Sequence, residues 1–116
     1  MRYTVSMKEA HLFRRMYAKG KSVVSPCLAV YARPNHSPRN RLGFTVSTKV
    51  GKAVRRNKVR RRLREAYRIH EETMLPGWDI VVVARVKAIH VSYGQLEREL
   101  LRALDKLGVR KGADKA

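Results

Sequence analysis

Residues 49–65 read KVGKAVRRNKVRRRLRE, a strongly cationic stretch near the middle of the chain. Nine of its first sixteen residues are Lys or Arg, and none of those sixteen is Asp or Glu. At 100° per residue Val59, Leu63, Ala66 and His70 fall in one narrow sector, with Tyr67 beside it. This periodicity predicts a helix over Ala53–Met74 that has one apolar face and one cationic face.

The charge of the whole chain points in the same direction. The sequence has 27 Lys and Arg against 9 Asp and Glu, a formal net charge of +18. Self-repulsion of this size opposes compaction, so we expect a polyanionic partner, with nucleic acid as the first candidate and an anionic membrane as the second. No stretch approaches the ~18 consecutive apolar residues of a membrane span, and the N-terminus lacks the apolar core of a secretory signal. A cytoplasmic protein is therefore expected.

Length and cysteine content bound the fold. The 116 residues, 44% of them apolar, suffice for one domain spanning 1–116, with a frayed tail from Arg110 onward. Cys27 is the single cysteine, so it cannot form an internal disulfide. We expect it to be a small buried hydrophobic residue in a strand rather than a reactive thiol.

The residues before the basic segment predict one helix and three strands. Ser6-Met7-Lys8-Glu9 has the form of a capping box, which predicts a first helix over Met7–Lys19, and Gly20 suits the position after its end. Strand-like runs follow at Lys21–Ser25, Cys27–Arg33 and Leu42–Thr48. The turn-rich segment 34–41 joins the last two.

The residues after the basic segment predict one more strand and one more helix. The segment LPGWD at 75–79 predicts the end of the basic helix and a turn. The apolar run 79–86 is typical of a buried central strand. Ser92 begins a second capping-box pattern, and leucines at helical spacing continue to Leu107, with Gly108 after the end. The order is α-β-β-β-α-β-α, which indicates a single α+β or α/β domain.

The cationic face of the basic helix has two interpretations. A charged helix face is often simply solvated. Here, however, the acids that would form stabilising i,i+4 pairs are missing, and arginine, which makes forked contacts to phosphate, outnumbers lysine. Asn57 lies on the same face, where its amide could meet a phosphate, a 2′-OH or a base edge; it could equally be a local cap of the helix N-terminus.

Aromatic residues suggest a second surface. Phe13 and Tyr17 lie one helical turn apart at the edge of the apolar face of the first helix, where they could merely extend the core. Tyr31 and Arg33 share one face of their strand. A ring beside a guanidinium suits single-stranded nucleic acid, because bases stack on rings while the guanidinium meets phosphate.

The sequence contains no recognisable catalytic motif. Its histidines, His11, His36, His70 and His90, have no metal-ligand spacing with Cys or acids, and His70 is expected to face the core. There is no glycine-rich phosphate loop, nucleophile motif or acidic pair for metal-assisted hydrolysis. The chain is therefore a poor candidate for a nuclease that acts alone.

Four segments in order resemble the bacterial ribonuclease P protein family. Residues 51–65 closely resemble the RNR motif of that family, and Phe13–Gly20 is similar to its first-helix pattern F-x-x-x-[FY]-x-x-G. Leu42–Ser47 with Lys49 is similar to its G-[LF]-[ST]-V-S strand and the lysine that follows. Asp79–Arg85 is similar to its D-hydrophobic-A-R strand. The resemblance covers nearly the whole chain.

The resemblance implies an α/β sandwich with a four-stranded sheet. It also implies a left-handed crossover from strand Leu42–Thr48 through the basic helix to strand 79–86, whereas the general rule would predict a right-handed one. Residues 23–27 (VVSPC) depart from the family pattern, and Pro26 limits strand pairing there.

The resemblance also implies a function. Family members bind a large catalytic RNA, and together they remove the 5′ leader from precursor tRNA. The RNA performs the hydrolysis with Mg²⁺, and the protein strengthens functional metal binding without a metal site of its own. The expected partners are the catalytic RNA and precursor tRNA, with no membrane and no further protein.

Site residues carry over from the resemblance in two groups. The implied RNA-binding residues are Lys49, Lys52, Arg55, Arg56, Asn57, Lys58, Arg60, Arg61, Arg64 and Arg68. The implied leader-binding residues, in a cleft between the first helix and the sheet, are Phe13, Tyr17, Tyr31 and Arg33. The alternative is a structural, ribosomal-type RNA-binding protein with no role in cleavage. A DNA-binding protein is disfavoured because the cationic face consists almost entirely of phosphate-type residues.

Overall fold

The computed structural model describes residues 4–6 and 10–111. The strands within these residues are β1 (Thr4–Ser6), β2 (Lys21–Val24), β3 (Leu28–Pro34), β4 (Asn40–Val46) and β5 (Trp78–Ala84). The helices are α1 (Ala10–Lys19), α2 (Ala53–Ile69) and α3 (Tyr93–Lys106). The sheet order is β1-β4-β5-β3-β2, with β4 parallel to both β1 and β5, and β3 antiparallel to both β2 and β5. The predicted α+β class is confirmed.

The sheet has five strands rather than the predicted four. The additional strand is β1, whose three residues run parallel to the start of β4. Three residues are too short to show a strand periodicity, so this edge strand could not be predicted from the sequence. The predicted start of the first helix at Met7 lies outside the described residues, which resume at Ala10.

The basic helix ends earlier than predicted. Its last residue is Ile69 rather than Met74, because residues 71–73 form a 3₁₀ turn. The Thr73 hydroxyl donates to the carbonyl of His70 at 2.7 Å, so this carbonyl at the end of the helix has a hydrogen-bond partner. Met74 is extended and bridges to Arg110, and the Lys111 N–H donates to the carbonyl of Thr73. The expected frayed tail therefore cannot begin at Arg110.

The other predicted strands are displaced by one or two residues. The strand predicted to start at Leu42 begins at Asn40 and ends before a 3₁₀ turn at Thr48–Val50, and the strand predicted over 79–86 ends at Ala84. Pro26 lies between β2 and β3, and all four residues of β2 pair with β3. The helix α2 connects the adjacent parallel strands β4 and β5; the left hand of this crossover stays a prediction.

Two apolar layers pack against the two faces of the sheet. The larger core joins α2 and α3 to the face that carries Leu28, Val30, Leu42, Ile80 and Val82. The smaller one joins Met16 of α1 to Val81, with the half-buried Phe13, Tyr31 and Val83 around them. His70 was expected to face the core, but this prediction is wrong. The side chain is half-buried, and its Nε2 lies 3.2 Å from Glu97 Oε2. The face under α1 is the one on which the predicted cleft residues lie.

Candidate nucleic-acid interface

The floor of the α1 face is built from rows of side chains that cross the strands. The register of β3 and β4 against β5 places Tyr31, Val81 and Gly43 in one row. The next row consists of Arg33, Asp79 and Arg41. Because successive strand residues point to opposite faces, both rows share the side that α1 covers.

Tyr17 and Tyr31 form the centre of this surface, which we call the aromatic cleft. Their ring centroids are 5.0 Å apart, and the ring planes meet edge to face at 67°. The Tyr17 hydroxyl lies 3.4 Å from Thr45 Oγ1 on β4, and Tyr17 is 42% exposed. The structure thus brings together these two predicted leader-binding residues, from a helix and a strand.

Phe13, the third predicted aromatic residue, has a different environment. It is half-buried and packs on the small core with Met16 and Val81. The alternative interpretation, in which it extends the core, therefore describes much of its contact. Thr45 was missed by the sequence reasoning, although strand alternation from Gly43 would have placed it on the cleft face.

Gly20 allows α1 to end close to the sheet. Its N–H donates to the carbonyl of Met16 at 2.8 Å, so it closes the last turn of the helix. A Cβ on Gly20 would lie 2.7 Å from the Met16 carbonyl oxygen and 3.3 Å from that of Ala32 on β3. Only a residue without a side chain permits this approach, which holds Tyr17 over Tyr31.

An ion pair fixes one end of the cleft floor. Arg41 donates from Nε and Nη2 to the two carboxylate oxygens of Asp79 at 2.7 and 2.6 Å, and Asn35 donates to the same carboxylate at 3.0 Å. Because Asp79 is buried, its carboxylate is stable only when it is paired, and the bidentate contact with Arg41 provides that pairing. The predicted cleft residue Arg33 lies beside Asp79 in the same row.

The cationic surface starts at the turn before α2. The Ser47 hydroxyl accepts a hydrogen bond from the Lys49 N–H at 3.1 Å and caps the 3₁₀ turn. Gly51 has φ +142°, a conformation that favours glycine, and it directs the chain into the helix. Lys49 and Lys52 are exposed on this approach.

The helix α2 separates its two faces as predicted. Val59, Leu63, Ala66 and Tyr67 are buried. Most of the implied RNA-binding side chains on the helix are exposed: Arg55, Asn57, Lys58, Arg61, Arg64 and Arg68. Arg56 and Arg60 are half-buried. The cationic face is therefore held on a packed helix and is not a tail that would order on binding.

Asn57 is not a cap of the helix N-terminus. The cap position is Lys52, five residues earlier, and its side chain makes no capping bond. The Asn57 side-chain oxygen instead accepts a hydrogen bond from Arg60 Nη1 at 3.1 Å. The local-cap interpretation is therefore wrong.

Polar contacts fix the far end of α2. The Tyr67 hydroxyl lies 3.0 Å from Thr4 Oγ1 on β1, and burial raises the pKa of Tyr67. The Asn40 side chain donates to the carbonyl of Leu75 at 3.0 Å and accepts from the Trp78 N–H at 2.8 Å. Asn40 was missed because its segment reads as a turn, whereas here it is buried at the start of β4.

Within residues 4–6 and 10–111, no group of three or more His, Cys, Asp and Glu side chains could hold a metal ion. In the same part of the chain, no helix combines the length and the apolar character needed to cross a bilayer. The fold and the site define a small α+β protein with a cationic helix on one face of its sheet and an aromatic cleft on the other.

Comparison with known proteins identifies the family. Residues 1–108 match the family Ribonuclease P. The ribonuclease P protein component of Alkaliphilus oremlandii is 42% identical over 101 residues, which cover 87% of this chain and 89% of that protein. The component from Thermoanaerobacter sp. is 34% identical over 114 residues, 98% of each chain.

Solved structures agree with the sequence comparison. The Staphylococcus aureus RNase P protein has a TM-score of 0.84 at 34% identity and covers 91% of this chain and 97% of its own. The Thermotoga maritima RNase P protein has a TM-score of 0.76 at 33% identity, with 83% and 91% covered. The chain therefore belongs to the ribonuclease P protein family, the protein subunits of the enzyme that matures the 5′ end of tRNA. None of these matches favours the ribosomal-type alternative.

Proposed function

We propose that the chain binds the catalytic RNA of ribonuclease P through α2 and receives the 5′ leader of precursor tRNA in the aromatic cleft. The observation that carries this proposal is the contact between Tyr17 and Tyr31 over a sheet face that Arg33 flanks. The two proposed RNA ligands then meet different elements of the same fold. The proposed place of action is the cytoplasm, where precursor tRNA is processed.

The cleft suits an unpaired strand rather than a duplex. Stacking on aromatic rings requires bases whose faces are free, and each stacked base contributes about 1–3 kcal/mol. Tyr17 is anchored by its ring contact with Tyr31 while a large part of its surface is exposed to solvent. An anchored ring loses little conformational entropy when a base stacks on it, which favours binding.

The α2 surface suits phosphates. Lys49, Lys52 and the cationic residues of α2 can neutralise phosphates and release the counterions of the RNA, which gives a salt-dependent affinity. Phosphates near the surface also replace the missing acids, so binding relieves the repulsion among the arginines.

We assign the hydrolysis that releases the leader to the RNA partner and its Mg²⁺. Cations of the protein that lie near the RNA would reduce local phosphate repulsion and lower the Mg²⁺ concentration that folding and cleavage require. The proposed role of the chain is thus to hold substrate and ribozyme together.

Reconstitution tests this function. The chain is mixed with a bacterial ribonuclease P RNA and precursor tRNA, and leader release is measured as Mg²⁺ is lowered. We expect cleavage at Mg²⁺ concentrations at which the RNA alone is inactive, and no cleavage of precursor tRNA by the protein alone. Cleavage that the protein does not stimulate, or robust cleavage by purified protein without RNA, would contradict the proposal.

One comparison sharpens this control. A solved S. aureus RNase P protein is described as a mutant with defective mRNA degradation activity. The protein-alone reaction is therefore run with an mRNA as well as with precursor tRNA. We propose that any cleavage of either substrate by this chain requires the RNA subunit.

A further inference from the structure

Two pairs of side chains with the same spacing lie on α2. In the first, Asn57 accepts one hydrogen bond from Arg60 Nη1 at 3.1 Å. In the second, Glu65 accepts two hydrogen bonds from Arg68, one of them from Nε at 3.0 Å. Both pairs are i,i+3, with the acceptor on the N-terminal side, so they form an internal comparison on one helix.

The two arginines differ in the charge that they can offer. Glu65 engages both forks of the Arg68 guanidinium and neutralises its charge, and these hydrogen bonds lower the pKa of Glu65. Asn57 is neutral and engages a single N–H of Arg60. A guanidinium has five N–H donors, so Arg60 retains its full charge and most of its donors in a restrained orientation.

Asn57 itself adds donors to this site. Its oxygen is taken by Arg60, so its NH₂ group is left as the binding group of the amide. Asn57 is exposed and Arg60 half-buried, so the pair presents N–H donors and a positive charge at the helix surface. Such a combination fits an anionic oxygen better than a base edge that needs an acceptor.

We propose that Asn57 is a positioning residue that orients Arg60 to bind a phosphate of the catalytic RNA, while Glu65 withholds Arg68 from such a contact. This inference rests on the proposed function, because it assumes that α2 binds that RNA. It divides the cationic face into a charged, oriented arginine and a neutralised one, although sequence alone treats Arg60 and Arg68 as equivalent.

A double-mutant cycle tests the positioning role. The Kd for the catalytic RNA is measured for the wild type, Asn57→Ala, Arg60→Ala and the double variant, with thermal melting as the check on folding. Ordering one long side chain at an interface corresponds to about two- to tenfold in affinity, so Asn57→Ala should weaken binding by this factor. In the Arg60→Ala background the same change should cost less, because only the NH₂ group of Asn57 is then lost and no arginine remains to be positioned. An equal loss in both backgrounds would overturn the positioning role, whereas no loss in Arg60→Ala would overturn the phosphate contact of the proposed function.

Exchanging the acceptors provides a matched test. Glu65→Gln should release Arg68 and so add one phosphate contact. The slope of the logarithm of the RNA-binding constant against the logarithm of the salt concentration should then become steeper by about 0.7–0.9. Asn57→Asp should neutralise Arg60 and reduce the salt dependence by the same amount. Thermal melting identifies any loss of folding, and Asn57→Gln provides a neutral control. Unchanged salt dependence in both Glu65→Gln and Asn57→Asp would contradict the division between Arg60 and Arg68.

Discussion

The carboxylate of Glu99 on α3 accepts a hydrogen bond from the backbone N–H of Cys27 at 2.9 Å, across 72 residues of sequence. It also accepts from the Ser25 hydroxyl at 2.6 Å and from the Gln95 side chain at 2.9 Å. Burial alone would raise the pKa of Glu99, but these hydrogen bonds together lower it to about 2. The same surroundings, burial first and Glu99 second, raise the pKa of the Cys27 thiol to about 11, which disfavours the reactive thiolate. Cys27 is buried as predicted, but it lies just before β3 rather than in a strand.

Stability is therefore predicted to fall in acid because of Glu99. The folded pKa lies below the ordinary value of 4.5, so the contribution of Glu99 is complete above that value and disappears as pH falls toward about 2. Glu99→Gln should be less stable than the wild type at neutral pH by about 1–3 kcal/mol, the cost of leaving buried groups poorly paired. Denaturant unfolding between pH 7 and 2 should show the two proteins converging in acid.

Glu72→Gln is the matched control for this series. Glu72 is exposed and lies outside the Glu99 network, so its substitution should leave the pH profile unchanged. A constant difference between wild type and Glu99→Gln over the whole pH range would contradict the role assigned to Glu99.

The sequence predicted those parts of the fold that have a strong period. The apolar stripe of α2 and the cap of α3, where the Ser92 hydroxyl accepts from the Gln95 N–H at 3.1 Å, were both predicted. The proximity of Tyr17 and Tyr31 came from the family resemblance, because nothing local links a helix to a strand fourteen positions away.

Other features depend on tertiary contacts and left no local signal. The strand β1 is too short for a period, and its Thr4 is explained only by the bond to Tyr67. The contact that Asn57 makes depends on the rotamer of Arg60, because its side-chain oxygen accepts from Arg60 and does not cap the helix, which starts at Ala53 as predicted. The end of α2 at Ile69 depends on the turn that the Thr73 hydroxyl helps to close.

Replacing Gly20 by alanine is predicted to disturb the cleft. The added Cβ would lie 2.7 Å from the backbone oxygen of Met16 in α1 and 3.3 Å from that of Ala32 in β3, so the end of α1 must rearrange where it meets the sheet. We expect a loss of stability of about 1–3 kcal/mol, typical of overpacking, together with weaker binding of precursor tRNA. Thermal melting and binding assays measure the two effects.

Gly94→Ala is the control for Gly20→Ala. A Cβ there would be no closer than 3.5 Å to its nearest neighbour, an arginine side chain, and Gly94 lies in α3. Alanine should therefore stabilise the protein by about 0.5–1 kcal/mol. Equal effects of the two substitutions would refute the steric explanation.

The cationic face of α2 is predicted to control salt dependence. The triple variant Arg60→Ala, Arg61→Ala, Arg64→Ala should bind the catalytic RNA more weakly, with the salt slope reduced by about 0.7–0.9 for each lost phosphate contact. Kd values between low and moderate salt give this slope.

The chain offers a control with the same loss of charge. Arg98, Arg102 and Lys106 form an exposed stripe on α3, so replacing all three by alanine removes three charges outside the proposed surface. Much of the salt slope should remain in this variant. If both triple variants lose the same slope, binding reflects net charge and not the face of α2.

The aromatic cleft is predicted to distinguish precursor from mature tRNA. Replacing Tyr17 or Tyr31 by alanine should weaken binding of precursor tRNA by the reconstituted holoenzyme by roughly 5- to 150-fold, the equivalent of one lost base stack. Tyr17→Phe and Tyr31→Phe keep the rings and serve as controls, and thermal melting establishes that each variant is folded.

The most direct test of the account is the ratio of the Kd values for mature and precursor tRNA, measured with the well-folded Tyr17→Ala, Tyr31→Ala double variant. We predict that the affinity for precursor tRNA falls while the affinity for mature tRNA, which has no leader, stays unchanged. The Kd for mature tRNA divided by the Kd for precursor tRNA should therefore decrease. A double variant that weakens both ligands equally, or neither, would contradict leader binding in the cleft and leave these two rings as packing residues.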